Sequence, residues 1–301
     1  DWAKQCVLYA DLILIVASST DDPAIHPFEQ SLGLYENNIL NKSAYLLLLG
    51  EDALPKNTPK WLAQRKVDLH IHHRLNHSSD TARLGRIITQ QAIGLVLGGG
   101  GAKGFAHVGA VLALTEAGVP IDFLGGTSAG ALYGIAMAYL GFDKEKIKQT
   151  TKEAAESNLT RDITIPMVSL MTGKKFRKHL NDLFGETYME DLRTTSYAVS
   201  TNYTKARMDV LKKGPVWRNV LASMSIPGVF PPVVIERNLH VDAGLMDNLP
   251  IEPMYNYPVG TIYAFSLSSI KEREIDYEET PSAAQLLLDK FGGKQHYKIP
   301  S

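Results

Sequence analysis

Continuous apolar runs and amphipathic stretches take turns along this chain. "ADLILIVAS" (10–18) and "AYLLLLG" (44–50) are short apolar runs bounded by polar residues, the pattern of buried strands. "VDLHIHH" (67–73) alternates apolar and polar positions and reads as a half-exposed strand. Between them, "HPFEQSLGLYENNI" (26–39) reads as a helix and "LPKNTPKWLAQR" (54–65) as a turn with a short helix. From residue 93 the pattern sharpens into strand 93–97, a glycine loop, and a helix from about Ala106 that ends at Gly118. "VPIDFLGGTSAGALYGIAMAYLGF" (119–142) repeats that unit. "DKEKIKQTTKEAAES" (143–157) and "GKKFRKHLNDLFGE" (173–186) are amphipathic, with Phe176, Leu180, Leu183 and Phe184 on one helical face. Further strands are expected at 196–202, 206–213, 233–242 and 260–269. Alternating strands and helices predict an α/β fold: a segment over 1–90, then a larger domain over 91–301 built on a central sheet.

Composition narrows the function classes. The 301 residues are 45% hydrophobic and 21% charged, values of an ordinary globular protein. A net charge of −1, from 31 basic and 32 acidic side chains, gives no sign of a nucleic-acid surface. One cysteine, Cys6, excludes an internal disulfide framework and points to a reducing, cytoplasmic setting. The apolar run Leu12–Ala17 falls short of the ~20 residues a spanning helix needs. It also lacks the cationic flank of a signal peptide. The opening "DWAKQ", without an initiator Met, reads as part of a longer protein.

Two loops carry candidate chemistry. "GTSAG" (Gly126 to Gly130) fits GxSxG at a strand-to-helix junction, where a nucleophile on a sharp turn needs small neighbours. Helix amides beginning at Ala129 then point at Ser128. Upstream, "GGGGAKG" (98–104) admits two readings. Gly99, Gly101 and Gly104 spell the dinucleotide fingerprint GxGxxG. The same backbone amides at Gly99, Gly100 and Gly101, with Lys103 nearby, can instead hold the oxyanion of a reaction at Ser128. The nucleotide reading also wants an acid about 20 residues on. Asp122 is near that position but directly precedes the serine turn, which favours the oxyanion reading.

A serine nucleophile needs a base. The histidines after Ser128 are His179 on an amphipathic helix, His240, and His296 in the tail, and each is better explained as an ordinary partner or surface residue. Asp242, at a strand end before Ala243 and Gly244, is the stronger candidate. A carboxylate is a weak base in water (about 3.9) and a stronger one when desolvated. On spacing alone a strand-ending Asx turn is the favoured account of Asp242, and the base reading needs more than spacing.

"GGGGAKG", "GTSAG" and "DAG", in that order, resemble the three signatures of the patatin-like phospholipase family, and "ASMSIPGVFPP" (222–232) resembles its Pro-rich block. The resemblance covers about 92–270. "QAIGLVLGGGGAKGFAHVGAVLAL" and "HHRLNHSSDTARLGRIIT" are most similar to the neuropathy target esterase-like branch, in which a region like 1–90 precedes the lipase domain. Cyclic-nucleotide-binding-like domains often lie further upstream in that branch. The resemblance implies a three-layer α/β sandwich with a mostly parallel central sheet. It also implies a Ser128–Asp242 dyad without histidine, an oxyanion region at Gly99, Gly100, Gly101 and Lys103, no cofactor, and a phospholipid or lysophospholipid substrate reached at the cytoplasmic face of a membrane. Gly98 stands where plant patatins have aspartate, and Lys103 where arginine is commoner, which removes a fork of donors but no backbone amide. Asp-Ala-Gly replaces the usual Asp-Gly-Gly or Asp-Gly-Ala.

Other features favour plain readings. "HIHH" (70–73) lacks a companion ligand pattern and reads as a solvated strand end. "KKFRKH" (174–179) reads as a solvated basic face, while "SLMTGKKF" (169–176) and "IPGVFPP" (226–232) suit either core or lipid contact. A nucleotide-binding module and a catalytically silent fragment are the competing functions.

Overall fold

The computed structural model describes residues 2–35, 43–156 and 169–268. The first segment runs α1 (Trp2–Tyr9), β1 (Leu12–Ser18), α2 (Pro27–Ser31), β2 (Ser43–Leu49), α3 (Thr58–Gln64), β3 (Leu69–His73) and α4 (Ser78–Ile88). Its strands form a parallel sheet in the order β1-β2-β3. The helix expected over 26–39 is shorter: α2 starts at a His26–Glu29 capping box and stops at Ser31, and 36–39 lie outside the described residues.

The larger part begins with β4 (Ala92–Leu97), α5 (Phe105–Glu116), β5 (Phe123–Thr127), α6 (Ala129–Tyr139) and α7 (Lys144–Glu156). It continues with α8 (Lys174–Phe184), β6 (Thr195–Asn202), β7 (Arg207–Leu211), α9 (Val216–Ser223), β8 (Val233–Ile235), β9 (Asn238–Asp242) and β10 (Val259–Phe265). Helix α5 ends as its sequence predicts. Gly118 takes φ +74° while the Val119 amide donates to the Leu114 carbonyl, satisfying the last turn. Strands β10, β4, β5 and β6 pair in parallel, and antiparallel β7, β9 and β8 complete the sheet. The single strand expected over 233–242 is instead a hairpin, turning at Glu236 and Arg237, both with positive φ.

The period of two sorts the large sheet into two cores. Leu95, Leu97, Leu124 and Ala198 point to the side packed by α5, α6, α8 and α9. Val96, Phe123, Tyr197 and Val199 point the other way, where they meet Leu69, Ile71 and Ile87 of the first segment. Strand β3 is therefore buried rather than half-exposed. His70 and His72 both donate through Nε2 to the Glu190 carbonyl, at 3.0 and 2.9 Å, so "HIHH" is a packed seam and not a solvated end. Helix α4, which hydrophobic patterning alone did not single out, crosses the same seam. Its Arg86 makes a bidentate pair with Asp122 at 2.7 and 2.8 Å.

Candidate active site

Strand pairing brings the two candidate catalytic residues to one place. Along β6, Val199 pairs with Thr127 of β5, and the next residue, Ser200, pairs with Asp242 of β9. Strand β7 occupies the opposite edge over the same residues, so β5 and β9 share one edge of β6 and meet there tip to tip. Ser128 directly follows the first tip, and Asp242 ends the second.

Ser128 has φ +52° and ψ −121°, a conformation that costs a non-glycine residue of the order of 1–3 kcal/mol. Its surroundings enforce this. The Ser128 amide donates to the hydroxyl of Ser223 at 2.9 Å, the Thr127 hydroxyl donates to the Asp247 carbonyl at 2.9 Å, and the Leu132 amide donates to the Ser128 carbonyl at 3.0 Å. A side chain on Gly130 would reach 2.0 Å from the Leu97 carbonyl oxygen, which explains the second glycine of GxSxG by close backbone approach. The first, Gly126, abuts the backbone of Gly130 and Ala131 in the same way. Ala129 opens α6 and is buried, so its amide sits at the positive end of the helix beside Ser128.

Asp242 has its amide tied to the Ser225 carbonyl at 2.9 Å, and its Oδ1 accepts the Gly244 amide at 2.7 Å across the buried Ala243. Asp242 and Ser128 are each 6% exposed. The Asx-turn reading is thus correct in geometry, and it leaves the carboxylate at the edge shared with the serine turn.

The glycine loop lies against this pair: a side chain on Gly99 would come within 3.3 Å of the Ser128 β-carbon. Gly99 departs from expectation as an oxyanion donor, because its amide is already donated to the Asn248 carbonyl at 2.9 Å. The amide of Lys103 is likewise given to the Gly100 carbonyl at 3.1 Å, and its side chain is exposed. Gly100, Gly101 and Ala129 remain as backbone candidates. Gly104 packs against Ala129 and Tyr133, where α5 and α6 meet the loop.

Of the histidines after Ser128, His240 is an ordinary partner residue. His240 pairs with the Ser200 hydroxyl at 2.8 Å, His179 lines an apolar cavity, and His296 lies outside the described residues. Four residues near the site escaped sequence reasoning: His107, Ser223, Ser225 and Asn248. His107, whose imidazole burial holds below its ordinary pKa, donates from Nε2 to the Gly98 carbonyl at 2.7 Å. Its place on the first turn of α5, with side chains tilting back toward the loop, was the available signal.

Gly101 and Ala102 line part of a cavity of about 830 Å³ between α5, α6, α7 and α8. Its walls are apolar, with Val108, Met137, Phe176 and Phe230 among them. Both segments left open by the sequence contribute, "SLMTGKKF" through Leu170, Met171 and Phe176, and "IPGVFPP" through Ile226, Val229 and Phe230. No helix of the described residues is long and apolar enough to cross a membrane.

A family model described as "Patatin-like phospholipase" matches residues 95–255, and one described as "Neuropathy Target Esterase family P-loop like domain" matches 1–96. Over 96% of its length the chain is 33% identical to Patatin-like phospholipase domain-containing protein 6 of Homo sapiens and 31% identical to Neuropathy target esterase sws of Drosophila melanogaster. It is 36% identical, over 78% of its length, to Lysophospholipase NTE1 of Meyerozyma guilliermondii. The chain spans 23% of the length of the first two relatives and 17% of the third. Among solved structures, VipD from Legionella pneumophila aligns over 54% of this chain and 47% of VipD at 16% identity, with a TM-score of 0.37. The first match covers more than half of the 301 residues and contains both Ser128 and Asp242, so this chain belongs to the patatin-like phospholipase family, in its neuropathy target esterase-like branch.

Proposed function

We propose that this chain is a serine ester hydrolase acting on phospholipids or lysophospholipids through Ser128 and Asp242. The observation that carries the reading is the meeting of β5 and β9 on one edge of β6, with a strained serine at one tip and a buried carboxylate at the other. Asp242 accepts the hydroxyl proton of Ser128 as Oγ bonds to the ester carbonyl carbon. Charge moving to the carbonyl oxygen is stabilised by the amides of Gly100, Gly101 and Ala129, with Lys103 adding positive charge from outside. Collapse breaks the bond to the alcohol oxygen, which takes the proton from Asp242 and leaves an acyl-enzyme. Water then gives a proton to Asp242 and attacks the acyl carbon. As the fatty acid departs, that proton returns to Ser128. The scheme draws on no metal or organic cofactor.

A lipid substrate is supported by the apolar cavity that Gly101 and Ala102 of the glycine loop help to line, which has the volume and lining of a ligand site, and by the esterase and lysophospholipase names of the relatives. Leu245 and Met246, 56% and 52% exposed just beyond the Asp242 turn, suit peripheral contact with a membrane surface. The nucleotide reading fares worse. Gly98 and Gly99 are engaged by His107 and Asn248, and Asp122, the candidate ribose partner, is 1% exposed and bound to Arg86.

A fluorophosphonate probe with mass-spectrometric mapping tests the proposal. A covalent mark on Ser128, absent in Ser128→Ala and much slower in Asp242→Asn, is expected. A folded chain that takes no mark, or takes it elsewhere, overturns the dyad.

A further inference from the structure

Four consecutive glycines make a poor scaffold for preorganised donors. Each samples more backbone conformations than any other residue, and an oxyanion hole works only if its amides are held before the reaction begins. Something outside the loop has to hold it. Gly98 is fixed at both backbone groups, its amide on the Phe265 carbonyl at 2.9 Å and its carbonyl on His107. Gly99 is fixed at both groups by a single residue. The Asn248 carbonyl accepts the Gly99 amide at 2.9 Å, and Asn248 Nδ2 donates back to the Gly99 carbonyl at 3.2 Å. That carbonyl belongs to the peptide whose nitrogen is the Gly100 amide, so the bond sets the plane in which the next donor points.

Asn248 also touches the other half of the site. Its Oδ1 lies 2.4 Å from where a side chain on Gly99 would begin and 3.1 Å from where one on Gly244 would begin. The carboxamide is thus wedged between the glycine loop and the turn that caps Asp242. Its predecessor, Asp247, takes the Thr127 hydroxyl on its carbonyl, so 247–248 joins the loop, the serine turn and the Asp242 turn.

The geometry points to Asn248 as the positioning residue that converts a flexible glycine loop into a rigid oxyanion hole, acting through Gly99 rather than on the substrate. This rests on the reading of Ser128 as nucleophile.

Three chains are compared, the wild type, Asn248→Ala and Asn248→Asp, the last keeping size and backbone while replacing the amide donor. For each, kcat and KM on a p-nitrophenyl ester are measured, with the inhibition constant of a trifluoromethyl ketone, which adds to a serine as a tetrahedral oxyanion. The expected result is a fall in kcat on the order of tenfold to a hundredfold in both variants, KM within about twofold of wild type, and ketone affinity weakened in step with kcat/KM. Wild-type-like kcat in Asn248→Ala overturns the assignment. So does a loss of kcat with unchanged ketone affinity, or a loss in proportion to the fraction unfolded in a parallel melt. If the wild-type chain takes no fluorophosphonate mark at Ser128, the nucleophile reading falls and this one with it. A marked wild type with fully reactive variants sinks the Asn248 role alone.

Discussion

Ser223 takes the backbone N–H of Ser128 on its hydroxyl, two residues before Ser225 takes that of Asp242 on its carbonyl. One turn at the end of α9 therefore anchors both members of the proposed dyad. Replacing Ser223 with alanine leaves the Ser128 amide buried and without its acceptor. The expected cost is about 1–3 kcal/mol in stability, read by urea unfolding, together with slower fluorophosphonate labelling. Unchanged labelling in a folded Ser223→Ala chain would show that the serine turn holds itself.

Arg86 and Asp122 join α4 to the start of β5, whose far end carries Ser128. Asp122 also accepts the Ile93 amide at 2.9 Å, so its carboxylate helps fix β5 against β4. Arg86→Gln strands a buried charge and should destabilise the chain by about 3 kcal/mol. The double variant with Asp122→Asn should lose less than the two single losses added together, because the stranded charge is gone. Additive losses would mean the pair is not coupled.

Acid should loosen the seam between the first segment and the larger sheet. Burial pushes His70 down to about 4 and His72 to about 3, from an ordinary 6.5, with the positive charge of Arg83 adding to the effect at both. Between pH 6.5 and 4 the unfolded chain therefore binds protons that the folded chain refuses, and stability falls as pH falls through that window. Asp80, which burial would raise but hydrogen bonds from Arg74 hold near 2, gives its full stabilisation above its unfolded value of 3.8 and loses it only as pH falls below that. Unfolding free energy measured from pH 7 to 4 should show this slope, and it should flatten in His70→Gln/His72→Gln.

Chain-length preference offers a test of the cavity. Ala136 lines it on α6, and Ala136→Phe fills part of the space. Hydrolysis of a p-nitrophenyl palmitate should fall on the order of tenfold relative to the butyrate ester. Equal losses on both esters would place the acyl chain elsewhere.

Membrane contact should depend on the apolar pair beside the Asp242 turn. Leu245→Ser/Met246→Ser should lower co-sedimentation with phosphatidylcholine vesicles several-fold and leave hydrolysis of a soluble short-chain ester intact. Unchanged sedimentation would exclude this turn as the contact.

Much of this was legible in the chain. Runs such as "LILIVAS", "AYLLLLG" and "GLVLG" are bounded by turns and have no competing period, so their strands appear where expected. GTSAG announces its own geometry, because only small residues tolerate that turn. What stayed hidden depends on contacts distant in sequence. The His70–His73 pattern alternates as a surface strand would, and what buries it is distant in sequence: the larger sheet packs on Leu69 and Ile71, and the Glu190 carbonyl, some 120 residues later, takes His70 and His72. The hairpin at Glu236–Arg237 carries none of the Asn-Gly or Asp-Gly chemistry that marks such turns. Asn248 and Ser223 look like ordinary polar residues until the backbone groups they hold come within reach.

The sheet face shared by Val96, Phe123, Tyr197 and Val199 with Leu69, Ile71 and Ile87 bears on where this protein can be divided. The two family matches meet at residues 95–96, inside β4, a strand paired on both sides within the larger sheet. A cut at that point would sever a strand and leave aromatic and aliphatic side chains facing water. The boundary that separates two sequence families is therefore not one at which the polypeptide can be taken apart.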